Sequence, residues 1–224
     1  MIRAILFDLD GTLLDTAPDL AAALNRVRAA HHLPALAYSV IRPLASHGSF
    51  ALTRLGFALD DAHPDFEPRR RQLLDEYHAR IAGETRPFAG LPEILTALAA
   101  RGLQWGIVTN KPGWLTTPLL AAVSLGETPG CVVCGDTLAA RKPDPAPLLY
   151  AAVQLGCAPR ECVYIGDAAR DVEAGQRAGM ATVIARYGYL GADDVPEDWG
   201  ADVCVATPAA LAAWLAALPA LRAR

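Results

Sequence analysis

Six short apolar runs, several of them rich in β-branched residues, punctuate the chain at residues 4–7, 104–108, 131–134, 162–165, 181–185 and 202–205. Each is too short for a buried helix and reads as a strand covered on both faces. Helical patterns lie between them, clearest where Leu91, Ile94, Leu95 and Leu98, and again Leu211, Trp214, Leu215 and Leu218, recur at i, i+3, i+4 and i+7. Regular alternation of strand and helix predicts an α/β fold with a doubly wound parallel sheet, a Rossmann-like core with helices on both faces.

One interval breaks the rhythm. From about residue 18 to residue 83 there are helix signals and no convincing strand: Leu20, Ala23, Leu24 and Val27 share one face, and Phe66, Leu73, Leu74, Tyr77 and Ile81 share another. The expected organisation is a core of residues 1–16 and 84–224 with a small inserted helical cap of residues 17–83. The cap leaves just after the first strand and returns near Arg86-Pro87-Phe88, so two adjacent chain crossings are expected to form a hinge.

The 224 residues, 53% of them hydrophobic, suffice for one such core with a modest insertion. A net charge of -4 supplies no attraction for nucleic acid. The apolar run at residues 1–7 is cut off by Asp8 and Asp10, which neither a secretory signal nor a membrane span tolerates. A cytoplasmic protein with no membrane partner is therefore expected, as a monomer or weak homodimer. Five cysteines, an odd number, read as reduced thiols, and Cys131 and Cys134 flank two valines as in a buried strand rather than a zinc or redox site.

In an open parallel sheet, ligands bind beyond the carboxyl ends of the strands. Four polar groups stand there: Asp8-Leu9-Asp10-Gly11-Thr12 after the first run, Thr109-Asn110 after the second, Arg141-Lys142-Pro143 beyond the third, and Gly166-Asp167 with Asp171 after the fourth. Four carboxylates meeting one lysine would repel a phosphate and drive up their own pKa values, and a hard cation such as Mg2+ removes both problems. Asp8 and Asp10, two apart in extended chain, project to the same side, so one can attack phosphorus while the other moves protons. Thr109 and Asn110 offer donors to phosphoryl oxygens, and Lys142 a point charge. Lys111 is left open, a side chain facing solvent being the plain reading.

Asp8-Leu9-Asp10-Gly11-Thr12-Leu13, Thr109-Asn110, Lys142-Pro143 and Gly166-Asp167 with Asp171 together resemble the four motifs of the haloacid dehalogenase superfamily, in order and over the whole chain. The resemblance implies that Asp8 is nucleophile and metal ligand, that Asp10 is acid/base and lends the metal its backbone carbonyl, and that Asp167 ligates Mg2+ directly. It leaves Asp171 either behind the ligands or linked to Lys142. It also implies that the helical insertion is the family's small type of cap, closing over the substrate. Asp15-Thr16-Ala17-Pro18-Asp19-Leu20, Thr109-Asn110-Lys111-Pro112 and Tyr187-Gly188-Tyr189 look like the phosphoglycolate phosphatase branch, while Trp199-Gly200-Ala201-Asp202 with Arg42 is equally compatible with N-acetylmuramic acid 6-phosphate phosphatases. Ala168 departs from the polar residue that many relatives carry there.

The expected activity is thus hydrolysis of a small phosphomonoester, first 2-phosphoglycolate and second a sugar phosphate. A phosphoacceptor signalling domain shares the Asp, Thr, Lys and Mg2+ set, but Asp10 would hasten loss of the phosphoryl group it must retain. A dehalogenase would not need Asp10, and a phosphomutase would use the same aspartates. In the cap, Ser46-His47-Gly48-Ser49 reads as a break between helices, with His47 either a substrate contact or part of a capping turn. Arg42 carries the same two readings, and Arg69-Arg70-Arg71 reads as a solvated face.

Overall fold

The structure, a computed structural model, describes residues 1–218. In chain order the elements are strands β1 (Ala4–Phe7) and β2 (Leu14–Asp15), helices α1 (Ala17–Ala30) and α2 (Tyr38–Ile41), a 3-10 turn (Arg42–His47), and helices α3 (Gly48–Phe57) and α4 (Phe66–Ala79). Then come β3 (Arg86–Pro87), α5 (Leu91–Ala100), β4 (Gln104–Val108), α6 (Gly113–Ala122), β5 (Cys131–Val133) and α7 (Ala146–Gln154). The chain continues through β6 (Cys162–Gly166), α8 (Ala169–Ala178), β7 (Ala181–Ala185), β8 (Val203–Val205) and α9 (Pro208–Ala217). None of the described helices is long and apolar enough to cross a membrane.

Six strands form one parallel sheet in the order β5-β4-β1-β6-β7-β8. Counting only these strands, the order is 3-2-1-4-5-6, the doubly wound arrangement whose direction of growth reverses between β1 and β6. Side chains alternate across the sheet. Ile5, Phe7, Trp105, Ile107, Val163 and Ile165 join the core formed with α5 and α9, while Ala4, Leu6, Val108 and Tyr164 join the one formed with α7 and α8. Continuous burial of β1 on both faces is why its sequence shows no polar alternation.

All six expected strands are present; β6 runs one residue further, to Gly166, and two other ends are moved by side-chain hydrogen bonds. Cys134 lies outside β5 because its N–H donates to Thr137 Oγ1 at 2.8 Å, turning the chain. Asp202 lies outside β8, where its Oδ2 accepts from both the amide and the hydroxyl of Thr182, at 2.7 and 3.1 Å. The cysteines are free thiols.

Between β2 and β3 the structure is helical. Leu20, Leu24, Leu52, Leu73 and Tyr77 form a separate core that also takes in Leu115 and Tyr189 from the sheet side. The two crossings lie side by side, because β2 and β3 pair antiparallel, Leu14 with Pro87 and Asp15 with Arg86. Asp19 on the first turn of α1 ties the return crossing down by accepting from the Glu84 and Thr85 amides and the Thr85 hydroxyl.

Gly175 shows packing overriding local preference. A Cβ there would stand 2.4 Å from Thr182 Cγ2, and the Thr182 side chain is held by Asp202. Helix propensity alone favours Gly175→Ala by about 1 kcal/mol, whereas overpacking of this kind costs about 1–3 kcal/mol. Gly175→Ala is therefore expected to lower the stability of the fold, read as a smaller midpoint in urea denaturation with unchanged slope.

Candidate active site

The direction reversal between β1 and β6 opens a crevice at their carboxyl ends, and the chain puts Asp8 one residue beyond β1 and Asp167 one residue beyond β6. The walls are set close by glycine. Gly11 has φ +83, and a Cβ on it would lie 2.1 Å from Asp167 Oδ2. A Cβ on Gly188 would lie 2.4 Å from Asp167 Cβ and 2.5 Å from the Gly11 carbonyl. Either side chain would displace the Asp167 carboxylate.

Lys142 is the centre of the site. Its Nζ lies 2.9 Å from Asp8 Oδ1 and 2.9 Å from Asp171 Oδ1, and donates to the Tyr164 hydroxyl and the Val108 carbonyl at 2.7 and 3.0 Å. All three charged groups are buried. Burial opposes ionisation of Asp171, but Lys142 and Arg170 outweigh it and hold that carboxyl below its usual range. Burial pushes the Asp8 carboxyl up, with Lys142 pulling against it. Asp171 is linked to Lys142, one of the two readings left open for it. It also stands with Asp8 and Asp167 in a cluster whose oxygens lie within 4.8 Å of one another.

Asn110 differs from expectation. Its side-chain amide donates to the Lys142 carbonyl at 2.9 Å and its Oδ1 accepts from the Lys142 N–H at 3.1 Å. The side-chain amide clamps the backbone that presents Lys142, while Asn110 also lines the cavity. Thr109 Oγ1 accepts from the Lys111 N–H at 3.1 Å, which leaves its own proton to donate. Lys111 is not solvated: its Nζ lies 3.0 Å from Asp10 Oδ1 and 4.5 Å from the Tyr77 ring centre. Asp10 Oδ1 also accepts from Thr16 Oγ1 at 2.6 Å. Lys142 is therefore not the lone cation of the site.

Asp167 is almost wholly buried. Its Oδ2 accepts from Ser46 Oγ at 2.7 Å and from the Tyr189 N–H at 2.9 Å, while its Oδ1 has no partner among the described residues. Burial first, then the charges of Asp171 and Asp8, push its carboxyl up to about 7. An orphaned carboxylate oxygen in a cluster of three buried carboxylates is the donor set of a hard divalent cation.

Asp8, Asp10, Thr109, Asn110 and Lys111 line a cavity of about 940 Å³, with Ser46, His47, Phe50, Arg70, Arg71, Tyr77, Trp114, Arg141 and Arg170. His47 is on this lining, and burial together with the Arg170 charge holds its imidazole below the usual value. Arg42 is not. Its guanidinium donates to the Tyr187 carbonyl at 3.2 Å and stacks on the Tyr189 ring at 5.0 Å, so the expectation of a substrate contact is corrected to one of joining the helical layer to the sheet. Arg70 and Arg71, read from sequence as a solvated face, reach the cavity wall. Arg170 was missed. Its position one residue before Asp171 on the first turn of α8 was the available signal, and the reading there attended only to carboxylates.

Lys142→Met leaves Asp8 and Asp171 buried without their counter-ion, a change that costs about 3–5 kcal/mol. Urea denaturation of the cation-free protein is expected to show a loss of that size. A loss below about 1 kcal/mol would mean that the lysine does not hold the cluster.

The model of the haloacid dehalogenase-like hydrolases matches residues 5–185. An N-acetylmuramic acid 6-phosphate phosphatase of Pseudomonas aeruginosa is 44% identical over 207 residues, covering 92% of each chain. A phosphoglycolate phosphatase of Xanthomonas campestris is 43% identical over 215 residues, covering 95% of this chain and 97% of its own. Among solved structures, a Haemophilus somnus protein described as a predicted phosphoglycolate phosphatase superposes with a TM-score of 0.84 at 28% identity, over 96% of this chain and 98% of that one. This chain belongs to the haloacid dehalogenase-like hydrolases and stands among that family's phosphatases.

Proposed function

We propose that this phosphatase hydrolyses a small, carboxylate-bearing sugar phosphate of the N-acetylmuramic acid 6-phosphate kind, with Asp8 as nucleophile and Mg2+ held by Asp8, Asp167 and the Asp10 carbonyl. The observation that carries the substrate class is the cavity. Its volume of about 940 Å³ lies at the upper end of the range that drug-sized ligands fill. Phe50 and Trp114, both exposed, offer it apolar faces, and Arg71 and Arg141 offer positive charge to a carboxylate. A two-carbon acid would leave most of this space to water. 2-Phosphoglycolate, the first expectation from sequence, stands as the second reading, supported by the relative from Xanthomonas campestris at 43% identity.

The roles follow from which oxygens are already engaged. Asp8 Oδ1 is held by the Leu9 N–H at 2.8 Å and by Lys142, which leaves Oδ2 to attack phosphorus. Attack forms the Asp8–phosphorus bond and breaks the bond to the leaving oxygen, which takes its proton from Asp10. Thr16 and Lys111 hold Asp10 Oδ1, so Oδ2 carries that proton. Asp10 then removes a proton from the water that releases phosphate from Asp8. Thr109 donates to a phosphoryl oxygen, and Asn110 acts by holding Lys142 in place. The cation supplies positive charge for the phosphoryl oxygens. Helices α1 to α4 serve as the cap, and His47 meets the leaving group.

Phosphate release measured across N-acetylmuramic acid 6-phosphate, 2-phosphoglycolate and hexose phosphates tests the reading. The sugar acid phosphate is expected to give the highest kcat/KM, and a preference for 2-phosphoglycolate would replace the first reading by the second. Asp8→Asn is expected to abolish turnover while Mg2+ binding is partly kept. Asp10→Asn should slow turnover about 10²–10⁴-fold and allow an aspartyl phosphate to be trapped. Stable phosphorylation of wild-type Asp8 without phosphate release would point to a phosphoacceptor domain.

The raised Asp167 carboxyl gives a pH test. Without a cation, the stability it contributes by holding a proton is present at low pH and is lost as pH rises through about 7. Mg2+ takes the place of that proton. At a hundredfold excess over Kd it is expected to stabilise the fold by about 2.7 kcal/mol at about pH 8, and by clearly less at about pH 6. Equal Tm shifts at the two pH values would show that Asp167 does not bind the cation.

A further inference from the structure

Ser46, in the 3-10 turn between α2 and α3, makes a two-sided contact with the sheet. Its Oγ donates to Asp167 Oδ2 at 2.7 Å, and its carbonyl accepts from Arg170 Nη2 at 2.8 Å. The helical layer thereby touches both a proposed cation ligand and the half-buried Arg170 guanidinium beside it. The contact also separates two spaces: Ser46, His47 and Arg170 line both the large cavity, which Asp8 borders, and a smaller one of about 230 Å³, which Asp167 borders.

The Asp167 carboxylate is positioned by few groups. Two hydrogen bonds reach Oδ2, one from the Tyr189 backbone within the sheet domain and one from Ser46, and both leave Oδ1 without a partner. Gly11 and Gly188 crowd it from the other side without bonding to it. When the helical layer lifts away, Asp167 keeps the Tyr189 bond alone and its carboxylate gains freedom to rotate. Groups that orient a ligand in this way typically change metal affinity 10–100-fold when removed.

We propose that Ser46 is a positioning residue that couples seating of the helical layer to divalent-cation affinity at the site formed by Asp8, Asp167 and the Asp10 carbonyl. The proposal rests on the cation reading given above. Because such coupling is reciprocal, a bound cation favours the seated layer by the same factor by which seating favours the cation. The cation is then held about tenfold more tightly with the cavity closed than with it open.

The test uses the full chain, with Mg2+ titrated calorimetrically into wild type and Ser46→Ala, and with amide hydrogen exchange of residues 42–47 followed with and without Mg2+. Ser46→Ala is expected to bind Mg2+ about tenfold more weakly. Mg2+ is expected to slow exchange in residues 42–47 of wild type and to lose that effect in the variant. Equal Mg2+ affinity in the two proteins would overturn the proposal and leave the cation reading intact. Weaker binding with exchange in wild type unmoved by Mg2+ would overturn the coupling. Failure of wild type to bind Mg2+ would overturn the cation reading and the proposal together.

Discussion

A single ammonium group buried between two carboxylates sets the terms for everything around it. Lys142 Nζ stands 2.9 Å from both Asp8 and Asp171 in a region closed to water. Taking three charges out of water costs several kcal/mol per ion, and the cost is offset only when geometry is good and every remaining proton and lone pair finds a partner. The Tyr164 hydroxyl and the Val108 carbonyl share the third lysine proton, and the Asn110 side chain grips the lysine backbone on both sides. Residues in or just beyond β1, β4 and β6, the loop before α7 and the first turn of α8 contribute to this arrangement, so the site and the sheet order are one structure.

The fixed triad leaves Asp167 as the unsatisfied member. Its carboxyl is pushed up to about 7 and one of its oxygens has no partner among the described residues. A site that is almost balanced, short of one positive charge, is what a divalent cation completes. Under the proposed cation reading, a substrate phosphate would meet a crevice whose charges are already paired, so that four carboxylates would not repel it.

The helical layer meets the sheet through an apolar cluster that takes in Leu115 and Tyr189, and through hydroxyls and guanidinium groups. The Tyr189 hydroxyl accepts from the first amides of α1, at Thr16 and Ala17, and donates to Asp15, supplying the cap that Thr16 does not. Thr16 instead turns its hydroxyl to Asp10. Arg42, Arg170 and Ser46 make the remaining bonds across the gap. Polar contacts of this kind can be exchanged for water at a smaller net cost than apolar burial.

Much of this was legible in the order of residues. Apolar runs ending in Asp8, Thr109 and Asp167 marked strands and the rim they share, because a parallel sheet buries both faces and presents polar groups only at strand ends. The strand-free stretch after residue 16 marked the helices. What the sequence could not show was where long side chains point. Lys111 looks like a solvated lysine, Arg42 like a ligand for substrate and Asn110 like a phosphate donor, and each was placed otherwise by a partner distant in the chain: Asp10, the Tyr187 carbonyl and the Lys142 backbone. Periodicity reports on burial, which is local and repeats. Pairing of buried charges depends on which strand ends become neighbours, and that is decided only when the sheet closes.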